Sequence, residues 1–316
     1  MRAYNVSVII PTFYRDSYLA NTLRDLLKQR NSFNFEIIVV DQNPVLVQSR
    51  NESLYLLGKK ENIKWLSCVG KGVVYARNLA ISVADGELLV FVDDDVQIHD
   101  ENFLNKHIKA HAESGPNVVA VCGRENNPGS EASLAKKLNY KRGHPIYDVL
   151  FFPRNYEKRI EAAVLSTCNC SVKKETMLEL GCFDENFSGA SYGDDSDLAL
   201  RLIQKGYKIV YDPSPALIHL IAPMGGLRLS TSNRIKSFSS SEKVVSSIVF
   251  YLKHIHRNHR KLRFYYIYNY ILRKSLFLRA NVHKPWILPK VFLSLVWTFP
   301  KVKRSLGQGH KFSFKK

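Results

Sequence analysis

Apolar and polar positions along the chain fall into blocks. Short runs rich in β-branched residues, each closed by a polar residue, alternate with segments in which leucine and alanine recur at helical spacing. Val6 to Ile10 predicts a strand halted by Pro11-Thr12. A helix follows, because Leu19, Leu23, Leu26 and Leu27 share one face and Asp16 or Ser17 can cap it. Phe35 to Val40 predicts a second strand ending at Asp41, and Ile63 to Leu66 a third. Val74 to Ala84 reads as a helix that stops before Asp85-Gly86, and Glu87 to Val92 as a fourth strand running into Asp93-Asp94-Asp95. Later come a short strand at Val118 to Val121, an irregular segment from Arg124 to Arg159 and a patterned stretch from Thr167. A helix over Asp194 to Lys205 and a last strand over Lys208 to Tyr211 lead through Pro213 and Pro215 to His219. The alternation predicts an α/β fold with a central, mostly parallel sheet flanked by helices.

Polar residues gather where these strands end, and open α/β sheets bind ligands beyond the carboxyl ends of their strands. Asp41 and Asp93 to Asp95 are therefore expected to face one crevice. Three consecutive carboxylates repel one another unless something neutralises them. A hard divalent cation, Mn²⁺ or Mg²⁺, does so with oxygen ligands; a solvated acidic turn is the alternative. Asp194, Asp195 and Asp197 form a second cluster, readable as a tuned general base or as a helix N-terminus favoured by the macrodipole. His219 is either a structural imidazole or a ligand joining a carboxylate-held cation.

Charge changes the picture at one point. The net charge is +18, yet residues 1 to 233 carry 27 Lys+Arg against 27 Asp+Glu, and residues 234 to 316 carry 19 against 1. The chain thus divides into a neutral body and a basic helical appendage, with the boundary in the Ser-rich stretch Ser230 to Ser241. In the appendage, Phe264, Ile267, Tyr268, Ile271, Leu272 and Leu278 recur at helical spacing among Arg263, Arg273 and Lys274. That pattern suits an interfacial helix on an anionic membrane. It equally suits a helix packed on the body. Val291 to Phe299 is apolar but far short of the ~20 residues a span requires. Nucleic acid is the rival partner for a basic, aromatic tail, and ranks second because no nucleic-acid-binding motif accompanies it. The five scattered cysteines read as reduced core thiols of a cytosolic protein, and the N-terminus lacks a secretory pattern.

Six segments, in order, resemble the family 2 glycosyltransferases of the GT-A fold. They are VSVIIPTFYRDSYLANTL (Val6 to Leu23), EIIVVDQN (Glu36 to Asn43), KGVVYARNLAISVADGELLVFVDDDV (Lys71 to Val96), TCNCSVKKETMLELGCFDENF (Thr167 to Phe187), GDDSDLALRL (Gly193 to Leu202) and His219. The resemblance implies a GT-A type nucleotide-binding domain over 1–233, with a nucleotide-sugar half to about residue 100 and an acceptor half beyond it. It implies that Pro11, Thr12, Arg15 and Asp41 meet the nucleoside, that Lys71 and Arg77 approach the base or diphosphate, and that Asp93, Asp94 and Asp95 form the DxD motif. Asp93 and Asp94 then belong to the nucleotide-sugar site, while Asp95 and His219 hold the metal. Asp195 matches the catalytic base, with Asp194 where the family usually has Glu.

The implied activity is metal-dependent, inverting sugar transfer from a nucleoside-diphosphate sugar to a hydroxyl of a glycan or lipid-linked glycan, in polysaccharide or glycolipid assembly. The expected location is the cytoplasm, or the inner face of the membrane through residues 234–316. A non-catalytic nucleotide-sugar binding module and a nucleic-acid-binding protein are the alternatives. A nucleotidyltransferase is disfavoured because PTFYRDS lacks a Gly-rich, Arg-containing phosphate loop.

Overall fold

The computed structural model describes residues 5–30, 33–127, 144–187, 193–226, 241–256 and 259–269, together with positions 271, 300, 302–304, 307, 309 and 310. In chain order the elements are β1 (Val6–Thr12), α1 (Asp16–Leu27), β2 (Phe35–Asp41), α2 (Val47–Arg50), α3 (Glu52–Gly58), β3 (Ile63–Ser67), α4 (Val73–Val83) and β4 (Leu88–Val92). Then come β5 (Val96–Gln97), α5 (Phe103–Ala112), β6 (Val118–Asn126), α6 (Pro145–Phe151), β7 (Ile160–Glu161) and β8 (Asn169–Lys173). Then follow α7 (Lys174–Glu179), α8 (Asp194–Gln204), β9 (Lys208–His219) and α9 (Ser241–Phe250), which runs into a π-helical turn (Tyr251–Ile255), a 3-10 turn (Arg260–Leu262) and the short helix α10 (Arg263–Tyr266).

One sheet carries all nine strands in the order β3-β2-β1-β4-β8-β6-β9-β5, with β7 on β9. Strands β3, β2, β1 and β4 are mutually parallel. β8 runs antiparallel to both β4 and β6, and β6 is parallel to β9. This is the mixed sheet with helices on both faces that the alternating pattern predicts.

Both faces are covered, which explains the unbroken apolar runs. Side chains alternate along each strand, so Val6, Val8 and Ile10 of β1 pack with Leu19, Leu23 and Leu26 of α1, while Ile9 joins Ala76 and Ala80 of α4 on the other face. β4 divides likewise, with Leu88, Val90 and Val92 on the α1 side and Leu89 and Phe91 on the α4 side.

Three elements differ from their expected extents. β6 continues past Val121 to Asn126, and β9 continues past Tyr211 to His219. The pairing steps from Cys122↔Tyr211 directly to Arg124↔Ala216. Asp212 to Pro215 therefore loop out of the ladder opposite Gly123, where neither proline is asked to donate a ladder hydrogen bond. The Asp212 carboxylate closes that loop by accepting from Ser214 N–H and Oγ–H at 2.8 and 2.6 Å. The segment expected to be irregular contains α6, which opens on Pro145.

Neither Asp16 nor Ser17 caps α1. Arg15 occupies the N-cap of α1 without a side-chain cap, because the Asp16 carboxylate is taken by Arg50 Nε and Nη2, both at 3.0 Å. At α8 the cap is Gly193 at φ 96°, a left-handed conformation that glycine adopts without strain. Asp194 is engaged by Arg77 instead of capping.

The described part of the basic C-terminal region packs on the body. Val245, Val249, Phe250, Ile255, Leu262, Tyr266 and Ile271 join the core cluster that holds α4, β8 and α8. Phe250 stacks on Tyr266 with centroids 5.6 Å apart. The buried face is thus Leu262, Tyr266 and Ile271, whereas Phe264 and Tyr268 are 86% and 62% exposed. Leu272, Arg273, Lys274, Leu278 and Val291 to Phe299 lie outside the described residues, as does the Ser-rich boundary up to Ser240. Among the described residues no helix is long and apolar enough to cross a membrane. All five cysteines are free and buried.

Candidate functional site

The crevice opens where β1, β2 and β4 end, because parallel strands deliver their C-terminal residues to one edge. Asp41 closes β2. Its Oδ1 accepts from Asn43 N–H and Nδ2–H at 3.0 and 2.6 Å, and its Oδ2 from Arg50 Nη2–H at 3.0 Å. Asn43 Oδ1 in turn accepts the Tyr14 N–H at 2.9 Å, tying the β2 loop to the β1 loop. Pro11 lies within β1, in register with Val40. Lys71 stands apart on an exposed turn between Gly70 and Gly72, its Nζ 6.0 Å from the Tyr75 ring centroid.

The acidic run after β4 is divided among three environments. Asp94 is buried and accepts from Thr12 Oγ1 at 2.7 Å and Arg15 Nη1 at 2.9 Å. Burial pushes its carboxyl up to about 7, against the pull of Arg15 and Thr12. Asp95 is fully buried; its Oδ2 accepts the Ala222 N–H at 2.7 Å. Its Oδ1 lies 3.1 Å from Arg15 Nη1 and 3.3 Å from His219 Nε2 but receives no well-directed hydrogen bond. Burial disfavours the Asp95 carboxylate, yet His219, Arg15 and the Ala222 N–H outweigh it and hold Asp95 below the usual carboxylate range. The opposite balance holds at His219, where burial is outweighed by Asp95 and Asp93 and the imidazole is raised.

Asp93 is the most open of the three. Its Oδ1 is 3.6 Å from Arg77 Nη2 and its Oδ2 3.9 Å from His219 Nε2. Arg77, buried on α4, also donates Nη1–H to Asp194 Oδ2 at 2.8 Å. One guanidinium therefore spans the acidic run and the N-terminus of α8. Asp195, the next residue, accepts its own helix's Ser196 N–H at 2.7 Å through Oδ1, while Oδ2 faces Arg154 Nη2 at 3.6 Å. Asp197 does not face the crevice. It is buried beneath Arg201, Lys253 and His254 at 2.8, 2.6 and 2.8 Å, which hold its carboxyl far below the ordinary range despite burial. Part of the tail's positive charge is spent on this one carboxylate.

Thr12, Arg15, Arg77, Asp93, Asp94, Asp95 and His219 are thus brought together, and Asp195 joins them across Arg77. Four further groups belong to the same crevice. Arg50 emerges from the short helix α2 and neutralises Asp41. Arg154 bonds the carbonyl of Leu165 and faces Asp195 from a stretch with no periodic signal. Glu125 stands on the unexpected extension of β6; burial raises its carboxyl, and its Oε1 has no hydrogen-bond partner. Cys168, read from sequence as a core thiol, has Sγ within 4.8 Å of donor atoms of both Asp93 and His219. Its TCNC context was visible, but no spacing pointed to the crevice.

Could these residues hold a divalent cation? The unsatisfied Oδ1 of buried Asp95, close to the imidazole of His219 and near open Asp93, is the kind of donor arrangement that such an ion completes. The residues fit the group.

Comparison with known proteins places the chain among others by sequence and by fold. The chain is 25% identical over 221 residues to the O-antigen chain rhamnosyltransferase RfbN of Salmonella typhimurium, covering 68% of this chain and 66% of that protein. It is 26% identical over 213 residues to the minor teichoic acid biosynthesis protein GgaB of Bacillus subtilis, covering 65% of this chain and 22% of the relative. The matched stretches span at most about two thirds of the first curated relatives' own lengths. Among solved structures, the mannosyltransferase PcManGT from Pyrobaculum calidifontis, in complex with GDP-Man and Mn²⁺, superposes with a TM-score of 0.56 at 18% identity. That match covers 98% of this chain and 80% of that one. Residues 1–349 of TarS from S. aureus give a TM-score of 0.58 at 16% identity, covering 95% and 82%. These likenesses establish the GT-A fold. The sequence model of glycosyl transferase family 2 matches residues 7–181, more than half of the chain, and the chain belongs to that family.

Proposed function

We propose that the protein is an inverting, metal-dependent glycosyltransferase that moves a sugar from a nucleoside diphosphate to an acceptor hydroxyl during assembly of a cell-surface polysaccharide of the O-antigen or teichoic acid kind. The observation that carries this reading is the Arg77 bridge, which joins the acidic run at Asp93 to the Asp194-Asp195 pair across one crevice. The names of the relatives support the polysaccharide class, and the neighbour crystallised with GDP-Man and Mn²⁺ supports a nucleotide-sugar donor and a divalent ion.

In this reading Asp41, neutralised by Arg50, recognises the base, and Thr12 and Arg15 order the loop beneath the nucleoside. Asp95 and His219 would hold the cation, Asp93 and Asp94 would belong to the nucleotide-sugar site, and Lys71 and Arg77 would attract the diphosphate. Held there, a divalent cation would supply charge stabilisation to the leaving diphosphate. Asp195 accepts the proton of the attacking hydroxyl, which enters from the face opposite the leaving group and inverts the anomeric centre. Arg154 Nη2, 3.6 Å from Asp195 Oδ2, positions that carboxylate. Residues 1–233 form the catalytic unit. The basic region beyond 234 packs on it through one face and presents Phe264 and Tyr268 for contact with an anionic membrane, where a lipid-linked acceptor resides.

Calorimetric titration with UDP, GDP and dTDP, each with and without Mn²⁺, tests the proposal without knowledge of the acceptor. One nucleotide is expected to bind, and only with metal. Absence of binding by all three would leave the crevice without a donor and overturn the reading.

A further inference from the structure

Asp93, Cys168 and His219 are the one His/Cys/Asp/Glu group of this kind among the described residues whose ligand atoms, Oδ2 or Oδ1, Sγ and an imidazole nitrogen, all lie within 4.8 Å of one another. We infer that Cys168 supplies a sulfur ligand to the cation of the crevice, so that the site favours thiophilic divalent ions over Mg²⁺. The inference rests on the metal-dependent reading above and deepens it.

Topology explains how a thiol reaches this place. Cys168 immediately precedes β8, which pairs antiparallel with β4 so that Asn169 lies opposite Val92. The residue before Asn169 therefore falls beside the residue after Val92, which is Asp93. The Asp93 backbone hydrogen-bonds the sulfur, while the Asp93 carboxylate beside it opposes ionisation of the thiol until a cation stands between them. Asn169 fixes the strand start, since its Nδ2 donates to the carbonyls of Arg124 and Pro215, both at 2.9 Å, and its Oδ1 meets His107 Nε2 at 3.0 Å. His219 ends β9 and is held in register with Val96 of β5. Its Nε2 stands 3.9 Å from Asp93 Oδ2, a separation that two ligands of one first-row ion can share.

The other four thiols lack such partners. Cys68, Cys122, Cys170 and Cys182 are buried and belong to no such donor group among the described residues. A second observation points to a ligand independently of the thiol. Asp95 Oδ1, wholly buried and without a well-directed hydrogen bond, lies 3.3 Å from the same His219 Nε2. A cation beside His219 would meet oxygen from Asp95 or Asp93, nitrogen from His219 and sulfur from Cys168.

Donor softness then decides selectivity. Magnesium demands near-ideal octahedral oxygen coordination, whereas a mixed oxygen, nitrogen and sulfur set suits Co²⁺, Zn²⁺ or Cd²⁺ and admits Mn²⁺. On binding, the Cys168 S–H bond breaks, its proton passes to solvent and the sulfur electron pair forms the metal–sulfur bond; no oxidation occurs. Burial, reinforced by the carboxylates of Glu125, Asp93 and Asp95, holds the thiol well above its usual range, so the metal itself must supply the driving force.

The experiment is titration of the full chain with Co²⁺ alone, read by near-ultraviolet absorption, beside calorimetric titration with Mn²⁺. Wild type is expected to develop a thiolate-to-cobalt charge-transfer band that saturates at one equivalent. Cys168→Ser should lose the band and bind Co²⁺ at least about tenfold more weakly, the scale on which weaker outer contacts already act. Mn²⁺ binding should weaken less. His219→Gln, which keeps the thiol, should also lose the band, so the inference stays testable even if the serine variant misfolds. A Mn²⁺ isotherm in wild type without a cobalt–thiolate band, or a band that persists in Cys168→Ser, would overturn the sulfur ligand and leave the glycosyltransferase reading intact. Absence of both Co²⁺ and Mn²⁺ binding would overturn the metal-dependent reading and this inference with it.

Discussion

In the half of the sheet built from β1 to β4, every pairing is parallel, β1, β2 and β4 are buried on both faces, and each strand ends on or runs directly into a polar residue at the same edge. In the half built from β6 to β9, parallel and antiparallel pairings are mixed, a four-residue loop interrupts the longest pairing, and buried polar side chains support the strands. The first half concentrates like charge, with Asp41, Asp93, Asp94 and Asp95 at one rim, and answers it with Arg15, Arg50 and Arg77. The second half brings the proposed base, Asp195, and its partner Arg154 from distant parts of the chain. Ligand binding and bond-making are thus assigned to structurally different regions, and the Arg77 bridge joins them.

The largest effect should separate these duties. Asp195→Asn keeps the shape of the first turn of α8 but cannot accept a proton, so transfer is expected to fall by about 10²- to 10⁴-fold. Nucleotide affinity, which depends on the β1 to β4 rim, should stay within about twofold of wild type, well below the 1.4 kcal/mol of a tenfold change. Steady-state kinetics beside nucleotide calorimetry checks both. Equal turnover in the two proteins would remove Asp195 from the chemistry, and a matching loss of affinity would erase the division between the halves.

The next effect lies within the first half. Arg15 donates to Asp94 at 2.9 Å and lies 3.1 Å from Asp95, both carboxylates being buried. Arg15→Met fills similar space but leaves that charge uncompensated, and removing one partner of a buried pair costs about 3–5 kcal/mol. Urea denaturation should show this loss, and Mn²⁺ should restore part of it by substituting for the missing cation. A variant as stable as wild type without metal would mean that Asp94 and Asp95 are relieved by proton uptake alone.

The same contrast governs how much could be read from sequence. β1, β2 and β4 were legible because residues buried on both faces leave unbroken runs such as Val6 to Ile10 and Leu88 to Val92, and because Asp41 and Asp93 mark where they stop. α1 and α8 were legible from leucine spacing. β6 and β9 were read too short because Gly123, Pro213 and Pro215 look like terminators, whereas in the fold they meet at one bulge. Arg154 and Glu125 were missed because their roles depend on which strands become neighbours. Cys168 was assigned to the core, correctly as to burial, but its nearness to Asp93 follows from the β4–β8 register. In the C-terminal region helical spacing was visible, but which of its apolar residues pack on the body was not: Tyr266 and Ile271 turn inward while Phe264 and Tyr268 face out.

The smallest effect tests the second half alone, through proton linkage. His107 of α5 is wholly buried, with Nδ1 3.0 Å from Ser171 Oγ and Nε2 3.0 Å from Asn169 Oδ1, and His111 Nε2 lies 3.0 Å from the same Ser171 Oγ. Burial depresses both imidazoles, to about 4 at His107 and about 3 at His111, with their mutual proximity and Lys173 adding to the shift at His111. A folded-state value below the unfolded ~6.5 means that the unfolded chain binds more protons on acidification. Stability from these groups is therefore complete above pH ~6.5 and is lost as pH falls through the window down to about 4. Between pH 7 and 5.5 each histidine should contribute a loss of about 1 kcal/mol. His107→Gln preserves an amide able to bond Ser171 and Asn169 while removing one proton site, so about half of that acid sensitivity should disappear. Denaturation midpoints at pH 7 and 5.5 measure the difference directly. An unchanged pH slope would mean that His107 is not the titrating support of β8, and that the buried polar network of this half draws its acid sensitivity from its carboxylates instead.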